Sequence, residues 1–538
     1  MNRTHKVKLL CCCALLACLC AVMAFAPDGH AQLPDKTVTP NAAGEGINKS
    51  FAEQAGAGRG DVLTQGSSLY IIARDPFRSI RRGRQLFQRK FTRAQGVGPL
   101  FGDGLGNIEV DLAIGAGLSD SCASCHGRPR GAAGFGGDVV TRPDSRDAPH
   151  LFGLGLKEML ADEITQDLRA IRQQAVAEAQ SGPSNKTVTK QLNSKGVNYG
   201  SVSAKRKGNK VDVDTSGVRG VDADLRVRPF FAQGGTISIR EFFVGAFNAE
   251  MGLQSVDPDL KAAHEGARVV TPSGMVLDGS TDSIEGPPTA SAADDADHDG
   301  IANEIPTSVV DHMEFYLLNY FKPGLGEQTP QSTAGLQKFK QIGCAQCHVP
   351  DLQILRDRRV ADVETVYDPA NGIFNGLFAT ASARFTATDD GSGHPTLKRP
   401  ALQPFLVRNI FTDFKRHDLG PNFWERNYDG SMQKEFMTTP LWGVGTTSPY
   451  GHDGRSVNLK QAILRHGGEA QTARDAFAAL SSQDEANMLI FLSTLVIFPP
   501  DDTASNLNPG NRSDPRFPQA GHGSIRLPAL FNDPNDIE

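Results

Sequence analysis

The chain has 538 residues, 22% of them charged, and a formal net charge of -6. That length suggests more than one domain, and the acidic balance argues against nucleic-acid binding. Nine cysteines divide into five near the N-terminus (Cys11, Cys12, Cys13, Cys18, Cys20) and two later pairs, which leaves none for a structural disulfide.

Arg3, Lys6 and Lys8 precede an uncharged apolar run, 9–26, and Gly29-His30-Ala31 offers a small-residue cleavage site. This predicts a signal peptide over 1–31 and export to the periplasm. Lipid attachment at Cys18 and an uncleaved anchor are the alternatives. No later stretch is long and apolar enough to span a bilayer. Residues 32–75 are polar and Gly/Ala-rich and read as an N-terminal arm.

A helix is expected from about Ser79 to Thr92, with Gly83 and Phe87 on one face. The same pair recurs as Gly335 and Phe339. Each pair precedes a short motif, Cys122-Ala-Ser-Cys125-His126 and Cys344-Ala-Gln-Cys347-His348. C-x-x-C-H is the attachment signature of c-type haem. The thiols form thioethers and the histidine ligates iron from the proximal side. A zinc site would need ligands gathered from both runs, and a redox dithiol would not need the histidine. The repetition favours two covalently bound haem c groups. Glycine-rich runs flank the first motif, 96–101 and 131–137, suited to close backbone approach or to plain surface loops.

Downstream, Pro149-His-Leu-Phe-Gly-Leu-Gly155 is echoed by Pro440-Leu-Trp-Gly-Val-Gly445, as expected of a duplicated unit. Residues 155–180 read as helix, and 181–228 as a β-hairpin excursion. Residues 236–251 read as a helix with apolar Ile239, Phe242, Phe243, Ala246 and Phe247. Asp295, Asp297 and Asp299, followed by Gly300, resemble a calcium loop. Pro306 stands where an EF-hand places its glutamate, so Glu304 would have to act instead; a solvated acidic turn is the alternative. Residues 307–321 form an apolar-faced helix and 355–400 an irregular insertion. Leu459, Ala462, Ile463 and His466 share one helix stripe, stopped by Gly467-Gly468. Ser482 and Glu485 form a capping box for the last helix, and 501–538 is a polar tail.

Taken in order, these stretches resemble the di-haem oxidoreductase family, related to bacterial di-haem cytochrome c peroxidases and the MauG enzymes. The matching segments are Ser121–His126, Phe247–Gly252, Asp295–Glu304, Gly343–His348, His417–Gly420, Thr439–Gly443, His452–Arg455 and Ala462–Ala470. The expected fold is mainly α. It has two cytochrome c-like haem domains, 76–325 and 326–500, with long loops and a small hairpin excursion. The resemblance implies a reactive first haem and a second that relays electrons. It places Glu250 as a distal acid able to shuttle a proton, although Glu250 also reads as a helix-end residue. His150 and Met251 are candidates for a weak sixth ligand at the first haem. His466 falls at the peroxidases' methionine ligand to the second haem, with Met432, Met437 and His452 as rivals. Two features depart from the peroxidases. Phe230, Phe231 and Ala232 occupy the region of their inter-haem tryptophan, and Phe242 lies near their distal glutamine. The expected activity passes electrons from a small cytochrome or cupredoxin to peroxide, or from an organic or protein substrate. A non-enzymatic electron-transfer cytochrome and a di-haem oxygenase are the competing readings.

Overall fold

The computed structural model describes residues 50–74, 76–98, 119–126, 144, 146–319, 324–356, 358, 364–367, 381–384, 387–389, 395–397, 403–427 and 429–496. The signal segment 1–31, the arm before residue 50, residues 99–101 of the run 96–101, the glycine run 131–137 and the tail 501–538 lie outside them.

Two helix crossings frame the molecule, and each is made by a glycine. Helix α1 (Pro76–Gln88) crosses a later helix, Thr307–Asn319. A Cβ on Gly83 would lie 2.4 Å from both the His312 carbonyl oxygen and the Tyr316 Cβ. Phe87 then meets Tyr316 edge to face, with ring centres 5.8 Å apart. The helix Pro330–Gln341 repeats this against Ser482–Ser493. A Cβ on Gly335 would lie 2.0 Å from the Asn487 carbonyl oxygen, and Phe339 meets Phe491 at 5.5 Å. Only a residue without a side chain permits such approach. The second sequence echo also lands in equivalent places. Gly155 abuts the Leu318 carbonyl at the end of one partner helix, and Gly445 abuts the Ser493 carbonyl at the end of the other.

Between the first crossing's two helices runs α2 (Cys122–His126), followed by the long α3 (Leu154–Ser181). Strands β1 (Thr187–Ser194), β2 (Val197–Lys207) and β3 (Lys210–Asp214) form an antiparallel sheet that packs on α3. Lys195 and Gly196 both have positive φ, 49° and 83°. A two-residue turn of that hand follows the twist of the strands it joins. Lys195 reaches back to Glu163 on α3 at 2.5 Å. Next come α4 (Ile239–Met251), capped by Ser238, and α5, the helix Thr307–Asn319. Fully buried Arg240 joins them, paired with Asp257 (2.8 Å), Asp311 (2.9 Å) and Glu314 (2.7 Å). One guanidinium thus serves three carboxylates, and removing Arg240 would leave buried negative charge uncompensated. The chain continues through α6, the helix Pro330–Gln341, then α7 (Leu459–Arg465) and α8, the helix Ser482–Ser493. Ser481, not Ser482, caps α8, accepting from the Asp484 amide.

The expectation of a mainly α fold with two cytochrome c-like domains is overturned. The described residues are 38% helix and 17% strand, a mixed α/β architecture with several small sheets. Residues 355–400, expected to be irregular, include two ribbons: Glu364–Tyr367 with Ala381–Arg384, and Ala387–Asp389 with Pro395–Leu397. Further ribbons pair Leu352–Ile354 with Phe405–Val407 and Arg416–Asp418 with Glu435–Met437. Long polar connectors satisfy their backbone groups by pairing with themselves in short antiparallel pieces. Such pieces leave little periodic trace in sequence.

The main apolar cluster runs from Ile72 to Trp442 and draws Leu352, Val407, Ile410 and Phe414 into the same core as α1, α3, α4 and α5. A smaller cluster gathers Phe339, Phe411, Phe477, Met488, Phe491, Leu492 and Leu495. Among the described residues no helix is long and apolar enough to cross a membrane.

Candidate haem-binding sites

Helix α2 is little more than one turn, so Cys122 and Cys125, three apart, project to the same side. All four described cysteines are free thiols. Burial, then the neighbouring Cys125, pushes the Cys122 thiol up to about 12, and burial pushes Cys344 up to about 11. Zinc ligation and dithiol redox chemistry both draw on the thiolate. Burial thus favours the neutral thiol at Cys122 and Cys344, which suits thioether formation better.

The histidines are oriented alike. His126 Nδ1 lies 2.8 Å from the Pro149 carbonyl oxygen, and His348 Nδ1 lies 3.1 Å from that of Phe411. Burial lowers the pKa of His126, and burial followed by the charge of His466 brings His348 down to about 4. Each ring is therefore neutral, its Nδ1–H donated to backbone and its Nε2 bare. A second partner of this kind fixes the tautomer that ligates a metal. The chemistry of the donor set fits haem at both motifs.

At the first motif the end of α4 is stitched alongside. Ser119 N–H donates to the Glu250 carbonyl at 3.0 Å, and Gly98 N–H to that of Met251 at 3.0 Å. Glu250 is half-buried there. Phe242 packs on Phe231 at 4.7 Å and on Phe230 at 6.0 Å. Burial, then Lys157, brings His150 down to about 4, and the ring makes a polar contact with the Trp442 backbone. His150 directly follows Pro149, whose carbonyl accepts from His126 Nδ1.

At the second motif His466 closes α7. Its Nδ1 is tied to the Ala462 carbonyl at 2.8 Å, and Phe423 meets its ring edge to face at 5.3 Å. Leu459 and Ile463 pack on the smaller apolar cluster. The rivals are placed otherwise. Met432 is 40% exposed, and Met437 packs against Gly234. His452 stacks on Phe436 at 3.9 Å, with its Nε2 3.1 Å from Glu425.

Some pairings at the sites carried no signal in the sequence. His417 Nε2 lies 2.8 Å from Asp413 and its Nδ1 2.7 Å from Glu469. Burial alone would lower its pKa, but bonds to Asp413 and to Cys347 raise it to about 11. Its motif, His417-Asp-Leu-Gly420, stood out in sequence, but a carboxylate 52 positions away could not. Arg146 grips Glu425 through Nε at 2.9 Å and a terminal nitrogen at 2.6 Å.

Asp295, Asp297 and Asp299 bring one carboxylate oxygen each within 4.8 Å of one another. Asp297 is 5% exposed, with one buried oxygen lacking a hydrogen bond. Burial, then the other two carboxylates, raises the Asp299 pKa against an opposing Ile301 amide bond. This set has the donors of a hard-cation site. Glu304 is not in the group; its Oε2 accepts from the Gln254 amide at 2.5 Å.

Fold and sites together define a protein with two equivalent Cys-x-x-Cys-His sites, each near a glycine-made helix crossing. A family model described as “Di-haem oxidoreductase, putative peroxidase” matches residues 351–495. It begins just after His348 and takes in His417, His452 and His466, so this part of the chain is similar to that family. The family name indicates haem cofactors and a peroxidase-like oxidoreductase. No curated protein matches the sequence.

Proposed function

We propose that the chain is an exported, periplasmic di-haem c-type oxidoreductase, peroxidase-like, with one haem c held covalently at each C-x-x-C-H run. The observation that carries this reading is the repeated pairing of two free thiols with a histidine whose Nδ1 is tied to backbone. Haem supplies a redox-active iron whose reactivity depends on its axial ligands. Cys122, Cys125, Cys344 and Cys347 would hold the groups, with His126 and His348 as iron ligands. His466 would be a further ligand at the second site, and that site would accept electrons from a small cytochrome or cupredoxin. The first site receives them, with peroxide as oxidant or an organic or protein molecule as the alternative substrate. Glu250, at the end of α4 beside the first motif, holds and returns a proton. Asp295, Asp297 and Asp299 take a calcium ion.

Mass spectrometry of the exported protein should show two haem adducts; an apo mass, or bound zinc, rejects the reading. One high-spin and one low-spin haem are expected. Two haems that stay low-spin in every redox state would instead make the protein an electron carrier. Glu250→Gln should abolish turnover while both haem spectra persist, and unchanged turnover would reduce Glu250 to a helix-end residue.

A further inference from the structure

The ribbon of Arg416–Asp418 with Glu435–Met437 is held against the connector 220–234 by one bond from each strand. Arg416 N–H donates to the Gly220 carbonyl and Met437 N–H to that of Ala232, both at 2.8 Å. Arg416 and Met437 stand opposite each other in the ribbon. Between ribbon and connector lies a cavity of about 180 Å³, part of it open to solvent. Its enclosed part has room for about one water-sized sphere.

The lining carries a surplus of positive charge. Arg226, Arg228 and Arg416 contribute to it with a single carboxylate, Asp222. Asp222 accepts from Arg228 and from Arg416, at 2.5 Å each. Asp162 and Asp282 meet Arg226, and Asp224 meets Arg228, from outside the lining. Two donors stay unused. The Nε groups of Arg226 and Arg416 are buried without a hydrogen-bond partner. Asp282 stands 3.7 Å from the first, too far for a bond. Arg226 as a whole is 5% exposed. A guanidinium donates and never accepts, so buried N–H groups of this kind suit an acceptor that brings negative charge.

Successive residues of a strand face opposite sides. His417 lies with Cys347 and Asp413, one ligand atom of each within 4.8 Å of the others. Arg416 therefore faces away from the second motif, and what fills the cavity comes from solvent. We infer that the cavity binds a monatomic anion of the size of chloride, between Arg226 and Arg416. Phosphate, sulfate and carboxylate groups exceed the enclosed space. The ion joins the connector to the ribbon that carries His417, and so braces the fold behind the second motif.

The test uses the exported full chain, with chloride exchanged for the bulky anion gluconate at fixed ionic strength. The chloride NMR line should show a saturable excess width, and the melting temperature should rise with chloride. Arg416→Gln should weaken chloride binding about tenfold or more. Asp222→Asn removes the competing carboxylate and should tighten it; this variant decides alone if Arg416→Gln does not fold. A wild-type chain indifferent to chloride in both measurements overturns the site and leaves water as the occupant. Binding that is unchanged in Asp222→Asn overturns it too. So does a chloride effect that follows the haem spectra and ignores both variants, because the ion would then sit on iron.

Discussion

Glu425 is 1% exposed and shares its space with Arg146 and His452. Burial would raise its pKa, but hydrogen bonds from His452 and Arg146 bring it down to about 2. A carboxyl whose folded pKa is depressed adds stability above its unfolded pKa and loses it as pH falls through the folded one. The acid limb of the stability profile should therefore carry a Glu425 component between its ordinary range and about 2. Glu425→Gln should flatten that component and destabilise the chain at neutral pH by about 3 kcal/mol, because Arg146 would stay buried without its counter-charge. Urea unfolding from pH 7 downward measures both, and a variant as stable as wild type would count against a buried pair. His417 is the opposite case. Its folded pKa is raised, so its contribution is complete below the ordinary histidine range and lost as pH rises toward about 11.

At the scale of elements, the Gly83 and Gly335 crossings carry the strongest mechanical prediction. Gly335→Ala would push a methyl into the Asn487 carbonyl. Separating α6 from α8 to relieve it should cost about 1–3 kcal/mol. Thermal unfolding of Gly335→Ala and Gly83→Ala should show a lowered midpoint in both; a neutral result at either would mean the crossing can slide. The same crossings show what the sequence made legible. Gly83/Phe87 and Gly335/Phe339 were visible as a repeat, and so were Gly155 and Gly445, because a glycine fixed by a close approach cannot drift. The helices over 155–180 and 236–251 were visible through their apolar periodicity. The short ribbons around 352–437 were not, because two- and three-residue strands are set by their partners and not by a pattern of their own. The site divided in the same way. The thiols, His126, His348 and His466 stand in local motifs, whereas the Asp413–His417–Glu469 and Arg146–Glu425–His452 clusters assemble residues from distant parts of the chain.

Across the whole molecule, the described residues belong to one compact unit, and residues after the second motif help fill the core under the first. The aspartate loop lies on the connector between α4 and α5, where Ser255 pairs with Ile305 and Val256 with Thr289. If Asp295, Asp297 and Asp299 hold calcium, added calcium at a hundred times its dissociation constant should stabilise the fold by about 2.7 kcal/mol. A chelator should remove that gain, and an Asp297→Asn variant should not show it. A melting temperature indifferent to calcium would leave the loop a solvated turn. The wide separation of α1 from α5 has a consequence of timing. A chain that emerges N-terminus first exposes Cys122 and Cys125 well before Thr307–Asn319 can arrive to seat α1. Long-range partners of this kind close late. The first thiol pair thus has an extended interval in which it is reachable by whatever machinery modifies it, whereas α6 meets α8 over a shorter stretch of chain. If haem is attached at the first motif, it is attached to an open chain, before Thr307–Asn319 arrives to close the core.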